Sequence, residues 1–233
     1  MDGFAFQVEV VRTARKKSVS IQLDGKLVRC RVPHRLSDRR VRQLIEEKTP
    51  WIERKLQQLA ERPKQAARQF VTGELVTYLG QDCRLQIAEG TPQFAVLKGN
   101  CLMVTADTEE NLEEDRQATL KAILQNWYQQ QADAHLRART QALASAIGVQ
   151  PASIRVKPYK ARWGSCSIAR EISYNWKLIF APPHIIDYVV IHELCHILEH
   201  NHSAAFWAHV ARYVPQWKDC RKWLRTHGHT LDL

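Results

Sequence analysis

The sequence of 233 residues predicts an α+β protein. Segments with strand character are grouped together instead of alternating regularly with helices, and the C-terminal end is helical throughout. Hydrophobic residues make up 45% of the chain and charged residues 25%, a balance typical of a globular core. No apolar stretch approaches the roughly 18 residues of a membrane span, and the first residues lack the pattern of a secretory signal. No membrane partner is therefore expected.

The beginning of the chain predicts a group of strands. Apolar residues rich in Val and Ile recur there in three short segments, as they do in half-buried strands. The predicted strands are Phe4–Val11, Ser18–Leu23 and Lys26–Val32. Asp24-Gly25 separates the last two segments, and this dipeptide is typical of a tight β-hairpin turn.

Two helices are expected after these strands. Ser37 is a suitable N-cap for a helix over Asp38–Lys48. Pro50 then suits the first position of a second helix, which is expected to end near Arg62. Strand character returns after a short link and persists to residue 105. We therefore predict a basic, β-rich N-terminal region with two helices over residues 1–105.

The rest of the chain, residues 106–233, is expected to form a second domain opened by a long helix. A helical pattern begins at Thr108 and ends at Gly148, which is a good C-terminal stop. Three strands are predicted next, at Ile154–Lys157, Arg162–Ser167 and Glu171–Ile179. Three helices complete the chain, at about Pro183–Glu199, Ala204–Tyr213 and Gln216–Thr226.

The net charge of +10 is concentrated at the N-terminal end, where residues 1–70 hold 17 Lys and Arg against 8 Asp and Glu. Such a region attracts polyanions, so nucleic acid is a possible partner there, although a solvated basic surface explains the charge equally well. The six cysteines are scattered without a CxxC pair. This spacing argues against a cysteine zinc site and against secreted disulfides, and it favours a cytoplasmic setting.

The strongest chemical signal is the run His192-Glu193-Leu194-Cys195-His196, an HExxH pattern. Residues four apart share one face of a helix, so the two imidazoles can bind a single metal ion, here expected to be Zn²⁺. Glu193 lies beside the first ligand and is the predicted general base. The alternative is a pair of histidines satisfied by hydrogen bonds in the core. The surrounding residues are strongly apolar, however, and unpartnered polar groups are costly to bury there.

A catalytic zinc site requires a third protein ligand and an open position. His200 is eight residues from His192, about 12 Å along a helix, which is too far for one ion to bridge. His202 can reach the metal only if the helix ends first, and His209 is the second choice. One common zincin pattern uses a Glu ligand on a later helix, and it is excluded because no Glu follows Glu199. Metzincins need a Met-turn after the site, and the absence of any Met there argues against a metzincin.

The C-terminal motifs resemble the YgjP-like family of metal-dependent hydrolases, which is similar to the SprT-like and WLM metalloproteases. The resemblance is carried by Arg162-Trp163-Gly164-Ser165-Cys166-Ser167, Tyr174-Asn175-Trp176, the HExxH run, Asn201-His202-Ser203 and Phe206-Trp207. It implies a zincin-like domain with a small sheet beside the HExxH helix. It also implies His192, His196 and His202 as zinc ligands, with Glu193 catalytic.

Several other residues are candidates for oxyanion or substrate contacts. Tyr174, Asn175 and Tyr213 carry suitable donors, although tyrosines are more often packing residues. Trp163 and Ser165 flank a glycine that either lets an extended peptide approach a strand edge or forms a simple turn.

Three functions are compatible with these features. The first is a zinc-dependent hydrolase, most simply a metallopeptidase. The second is a hydrolase of a nucleotide or another phosphate substrate. The third is a nucleic-acid-binding protein with a structural zinc. In the second, basic residues would bind the phosphates: Arg12, Arg15, Lys16, Lys17, Lys160 and Arg162.

Overall fold

The computed structural model describes residues 4–14, 18–24, 27–60, 68–107 and 113–233. Over these residues the chain forms ten strands in three sheets together with five α-helices, which confirms the α+β class. The chain divides into two compact units, residues 1–66 and 67–233. None of the described helices combines the length and apolar character needed to cross a membrane.

The first unit contains a three-stranded sheet and one helix. The strands are β1 (Gln7–Thr13), β2 (Ser20–Asp24) and β3 (Leu27–Pro33), and the helix is α1 (Asp38–Ala60). β3 lies in the centre, parallel to β1 and antiparallel to β2. The antiparallel pairing agrees with the predicted hairpin, whose Gly25 lies outside the described residues. Alternate residues of β3 (Val28, Cys30 and Val32) are fully buried in one core with Val41, Ile45 and Ile52 of α1.

The prediction of two helices in this unit was wrong, because α1 runs without a break through Pro50. Proline removes one backbone donor and weakens a helix. Ile45 and Ile52, on either side of it, are nevertheless buried in the same core. The Thr49 hydroxyl donates to the Ile45 carbonyl (2.9 Å), a bond within the helix and not an N-cap. A continuous apolar face therefore outweighs the local signal to stop.

The second unit begins with a four-stranded sheet followed by a long helix. The elements are β4 (Leu75–Tyr78), β5 (Gln81–Glu89), β6 (Phe94–Lys98), β7 (Cys101–Ala106) and α2 (Glu113–Ile147), and the sheet order is β4-β5-β7-β6. The division of the chain does not coincide with the boundary predicted at residue 105. Leu85 and Leu102 of this sheet share one buried core with Leu120 and Leu124 of α2, which explains the difference.

A second, smaller sheet lies next along the chain. Its strands are β8 (Ser153–Lys157), β9 (Gly164–Cys166) and β10 (Glu171–Asn175). β10 is central and β9 forms an edge antiparallel to it. The last predicted strand ends early, because the Asn175 side chain accepts from the Lys177 amide and caps a 3₁₀ helix, Trp176–Phe180.

Three helices complete the second unit: α3 (Pro183–Cys195), α4 (Ala204–Tyr213) and α5 (Trp217–His227). α3 packs against α2, and Arg139 of α2 forms a bidentate ion pair with Asp187 of α3 at 2.8 and 2.9 Å. α3 ends at Cys195, four residues before the predicted end near Glu199. That early end positions the functional site.

Candidate metal centre

The chain reverses direction directly after the HExxH run. His196 is the C-cap of α3, and the amides of Leu198 and Glu199 both donate to the carbonyl of Cys195 in the turn that follows. The Ser203 hydroxyl then caps α4 by accepting from the Phe206 amide at 3.2 Å. This tight connection brings the residues after α3 back towards its C-terminal end.

The reversal brings three imidazoles together. The ligating atoms of His192, His196 and His202 all lie within 4.8 Å of one another. Nε2 of His202 is 3.1 Å from Nε2 of His192. Zinc bound tetrahedrally at 2.0–2.1 Å separates neighbouring ligands by roughly 3.3 Å, so this spacing fits one ion. Within the described chain this is the cluster suited to a metal, and His209 is not part of it.

The lowered pKa values of His192 and His196 also suit a metal site. Burial, followed by the charges of His196, His202 and Arg221, lowers the pKa of His192 to about 3. Burial likewise lowers the pKa of His196. Nδ1–H of His196 donates to the Glu199 carbonyl at 3.1 Å, which leaves Nε2 available as a ligand. Neutral imidazoles are the form that coordinates a cation, so the donor set fits zinc.

Glu193 lies beside this cluster on the face of α3 that meets β9. Only 5% of its surface is exposed, and burial raises the pKa of its carboxyl to about 8, although the positive charge of Arg162 opposes the shift. A Cβ at Gly164 would lie 2.6 Å from Glu193 Oε1 and 2.8 Å from its Cδ. The glycine of β9 is therefore what makes room for the carboxylate.

Aromatic residues of α4 hold the imidazoles in place. The fully buried ring of Phe206 lies 4.4 Å from the ring of His196 and 4.9 Å from those of His192 and His202, centre to centre. Trp207 stacks on His202, with 5.7 Å between the ring centres. The Phe206-Trp207 pair thus fixes the orientation of the three candidate ligands, a role that its sequence position alone did not reveal.

A cavity of about 360 Å³ opens onto His192 and Glu193. It is lined by Trp163 and Gly164 from the sheet side, by Tyr188, Val189, His192 and Glu193 of α3, and by Arg221, Leu224 and Arg225 of α5. The two arginines of α5 were not candidates at the sequence level. Nothing in the spacing of α5 indicates that its arginines meet the HExxH helix.

The other predicted contact residues have different surroundings. Tyr174 is fully buried, and its hydroxyl pairs with the Thr140 hydroxyl at 3.1 Å. The amide of Asn175 caps the 3₁₀ helix through Oδ1 and donates to the carbonyl of Tyr159 through Nδ2. Both groups are therefore occupied in holding the fold. Ser165 is hydrogen-bonded to the Tyr159 hydroxyl (2.8 Å), and among the predicted contacts only Trp163 lines the cavity.

The chain is similar to one known family of proteins. The family model described as YgjP-like, metallopeptidase domain, matches residues 16–227. No match was found among curated proteins. Among solved structures, the chain is similar to the crystal structure of the metallopeptidase zymogen of Pyrococcus abyssi abylysin. That similarity has 22% identity and a TM-score of 0.37, and it covers 39% of this chain and 92% of the other. Because the family match spans nearly the whole sequence, this protein belongs to the YgjP-like metallopeptidase-domain family.

Proposed function

We propose that this protein is a zinc-dependent peptidase in which His192, His196 and His202 hold the metal and Glu193 is the general base. The observation that supports this most strongly is the convergence of three imidazoles beside a buried carboxylate at an open cavity. A zinc ion held by three imidazoles supplies a Lewis acid and lowers the pKa of a coordinated water towards ~7.

Glu193 is placed to move the proton. Its carboxylate lies against Gly164 of β9, and Glu193 lines the same cavity as His192. The raised pKa, about 8, lies close to neutral pH, where one group can both accept a proton and return it. We therefore propose that Glu193 Oε1 accepts a proton from the attacking water and then delivers it to the leaving amine.

The edge strand beside this carboxylate favours an extended peptide as substrate. β9 pairs with β10 on one side, and no other described strand pairs with it. Backbone groups at a free sheet edge can bind an extended chain by adding a strand. Because Gly164 lies in β9 against Glu193, a peptide bound along that edge would pass the general base.

A phosphate substrate is the second candidate, supported by Lys160 and Arg162, which line a neighbouring cavity of about 340 Å³. Arg12 is less suitable, because it already pairs with Asp38 at 2.5 Å in the first unit. Arg15, Lys16 and Lys17 lie outside the described residues. A structural zinc is disfavoured, since such sites are usually closed by four ligands and the described cluster offers three.

The cellular compartment and a nucleic-acid partner are also proposals. All six cysteines are free thiols, which suits a reducing compartment such as the cytoplasm. Binding of nucleic acid through the basic N-terminal region is tested by whether DNA binding weakens steeply with salt.

The proposed function is tested with the zinc-loaded full chain and its Glu193→Gln variant. Hydrolysis of casein by the wild type should be blocked by a chelator. The variant should lose it by about 10² or more, because the general base is removed, while its zinc content persists. Glu199→Gln is the matched control, since it makes the same change near the site and keeps the carbonyl that binds His196. Full activity of Glu193→Gln would refute the assignment.

A further inference from the structure

α5 presents two positive charges to the cavity that contains the general base. Arg221 and Arg225 are one helical turn apart, so their side chains share a face of α5, and both line the wall of the cavity. Leu224, between them in sequence, lines it as well. His192 and Glu193 of α3 line the same cavity, so a group bound there would meet both the arginines and the proposed catalytic residues.

Arg221 is oriented by the same aromatic residues that hold the metal ligands. Its guanidinium lies 5.5 Å from the ring centre of Trp207, a cation–π contact. Trp207 stacks on Trp217 at 4.0 Å and on the imidazole of His202.

The positive charge of this wall is not neutralised by an ion pair within the described part of the chain. Among the residues that the structure describes, neither Arg221 nor Arg225 forms an ion pair with a carboxylate, and the only acid lining the cavity is Glu193. Both arginines are exposed. The other side chains that line the cavity are largely apolar: Trp163, Tyr188, Val189 and Leu224.

We infer that Arg221 and Arg225 form a subsite that binds a carboxylate of the substrate, so that the enzyme prefers peptides with an anionic group beside the scissile bond. This inference rests on the proposed peptidase function. The guanidinium fork matches the planar geometry of a carboxylate. The apolar lining of the cavity suits the carbon chain to which that carboxylate is attached. The carboxylate comes either from an acidic side chain or from the C-terminus of a short peptide.

The experiment uses zinc-loaded full-length protein and a set of matched peptides. The peptides differ at one position, which is Glu, Gln or Lys, and each is made with a free and an amidated C-terminus. The variants are Arg221→Gln, Arg225→Gln and, as control, Lys222→Gln, which removes one positive charge from an exposed position of α5 outside the cavity. The measured quantity is the ratio of kcat/KM for the anionic peptide to that for its neutral partner.

The wild type should favour the Glu peptide, the free C-terminus or both, and the pattern identifies the source of the carboxylate. Each arginine variant should lower the preference about tenfold, the value expected for a charge-assisted hydrogen bond, whereas Lys222→Gln should keep it. A wild type with no preference, or an equal loss in all three variants, would overturn the inference. Turnover confined to phosphate-bearing substrates such as nucleotides would overturn it too.

A binding measurement separates this inference from the peptidase proposal. Labelled Glu and Gln peptides are titrated into Glu193→Gln protein and into the same protein carrying Arg221→Gln. Tighter binding of the Glu peptide that depends on Arg221 supports the subsite even if no peptide is cleaved. Cleavage without any charge preference would support the peptidase proposal and contradict the proposed carboxylate subsite.

Discussion

At Gly164, the absence of a side chain allows Glu193 to occupy its place beside the histidine cluster. Oε1 and Cγ of Glu193 lie 2.6 and 2.7 Å from the position that a Cβ would take, closer than atoms can approach. Glycine is therefore required here because it leaves space for the Glu193 side chain. An approach of substrate to the strand edge would be a second reason.

The Gly164→Ala variant should place a methyl group against the carboxylate of Glu193. We expect kcat to fall by about 10², because a displacement of this size misaligns a proton-transfer group. Zinc content should stay unchanged, because the three atoms nearest to the added methyl group all belong to Glu193 and none to a histidine. The measurement is peptide turnover combined with metal analysis. Unchanged kcat in a folded, zinc-loaded variant would contradict this role of the glycine.

The sequence predicted the candidate ligands and the general base but not their supporting residues. Spacing of four along a helix is a local property, so His192, Glu193 and His196 were accessible from the pattern alone. The roles of Tyr174 and Asn175 depend on partners such as Thr140, 34 residues from Tyr174 along the chain. The donor groups of Tyr174 and Asn175, which were candidates in the sequence, are therefore already hydrogen-bonded within the fold.

At the scale of elements, the site depends on where α3 stops. The apolar pattern continues beyond Cys195, so it predicted a helix through Glu199, whereas the structure turns at His196. That turn is the condition under which His202 was expected to reach the metal. α1 shows the opposite error, since Pro50 suggested a break that burial of Ile45 and Ile52 overrides. Helix ends are thus set by tertiary packing as much as by local signals.

The ion pair between α2 and α3 is expected to stabilise the position of the metal-binding helix. Arg139 and Asp187 are about one-third exposed and share two hydrogen bonds, so Arg139→Gln should lower the free energy of unfolding by about 1 kcal/mol. Arg137→Gln is the matched control. It breaks a more exposed pair with Asp133 inside α2, for which about 0.3–0.5 kcal/mol is expected.

Urea unfolding followed by tryptophan fluorescence measures both variants. Six of the seven tryptophans lie in residues 67–233, so the signal reports mainly on the unit that contains both ion pairs. An equal effect of the two substitutions would show that the pair between the helices contributes no more than an ordinary surface pair.

At the scale of the whole molecule, the candidate site and the core that supports it lie in one unit. The ligands, Glu193, β9 and the four-stranded sheet all belong to residues 67–233. The sequence predicted two parts but placed their boundary at residue 105. Local composition shows that residues 70–105 form strands, yet it does not show which helix covers those strands, because that contact is distant in sequence.

A fragment of residues 67–233 should fold by itself and bind one zinc ion. Its core is continuous and, among the described residues, contains none from the first unit. Circular dichroism and metal analysis test this, with the His202→Ala form of the fragment as control. A fragment that is unfolded with zinc present would contradict the division into units.

The central claim is that three imidazoles bind one ion beside Glu193, and zinc X-ray absorption of the loaded full-length protein tests it most directly. We predict three imidazole nitrogens and one oxygen at about 2.0–2.1 Å. His202→Ala should lose one imidazole, whereas His209→Ala should give the wild-type spectrum. A sulfur neighbour at about 2.3 Å, or only two imidazoles in the wild type, would contradict the account.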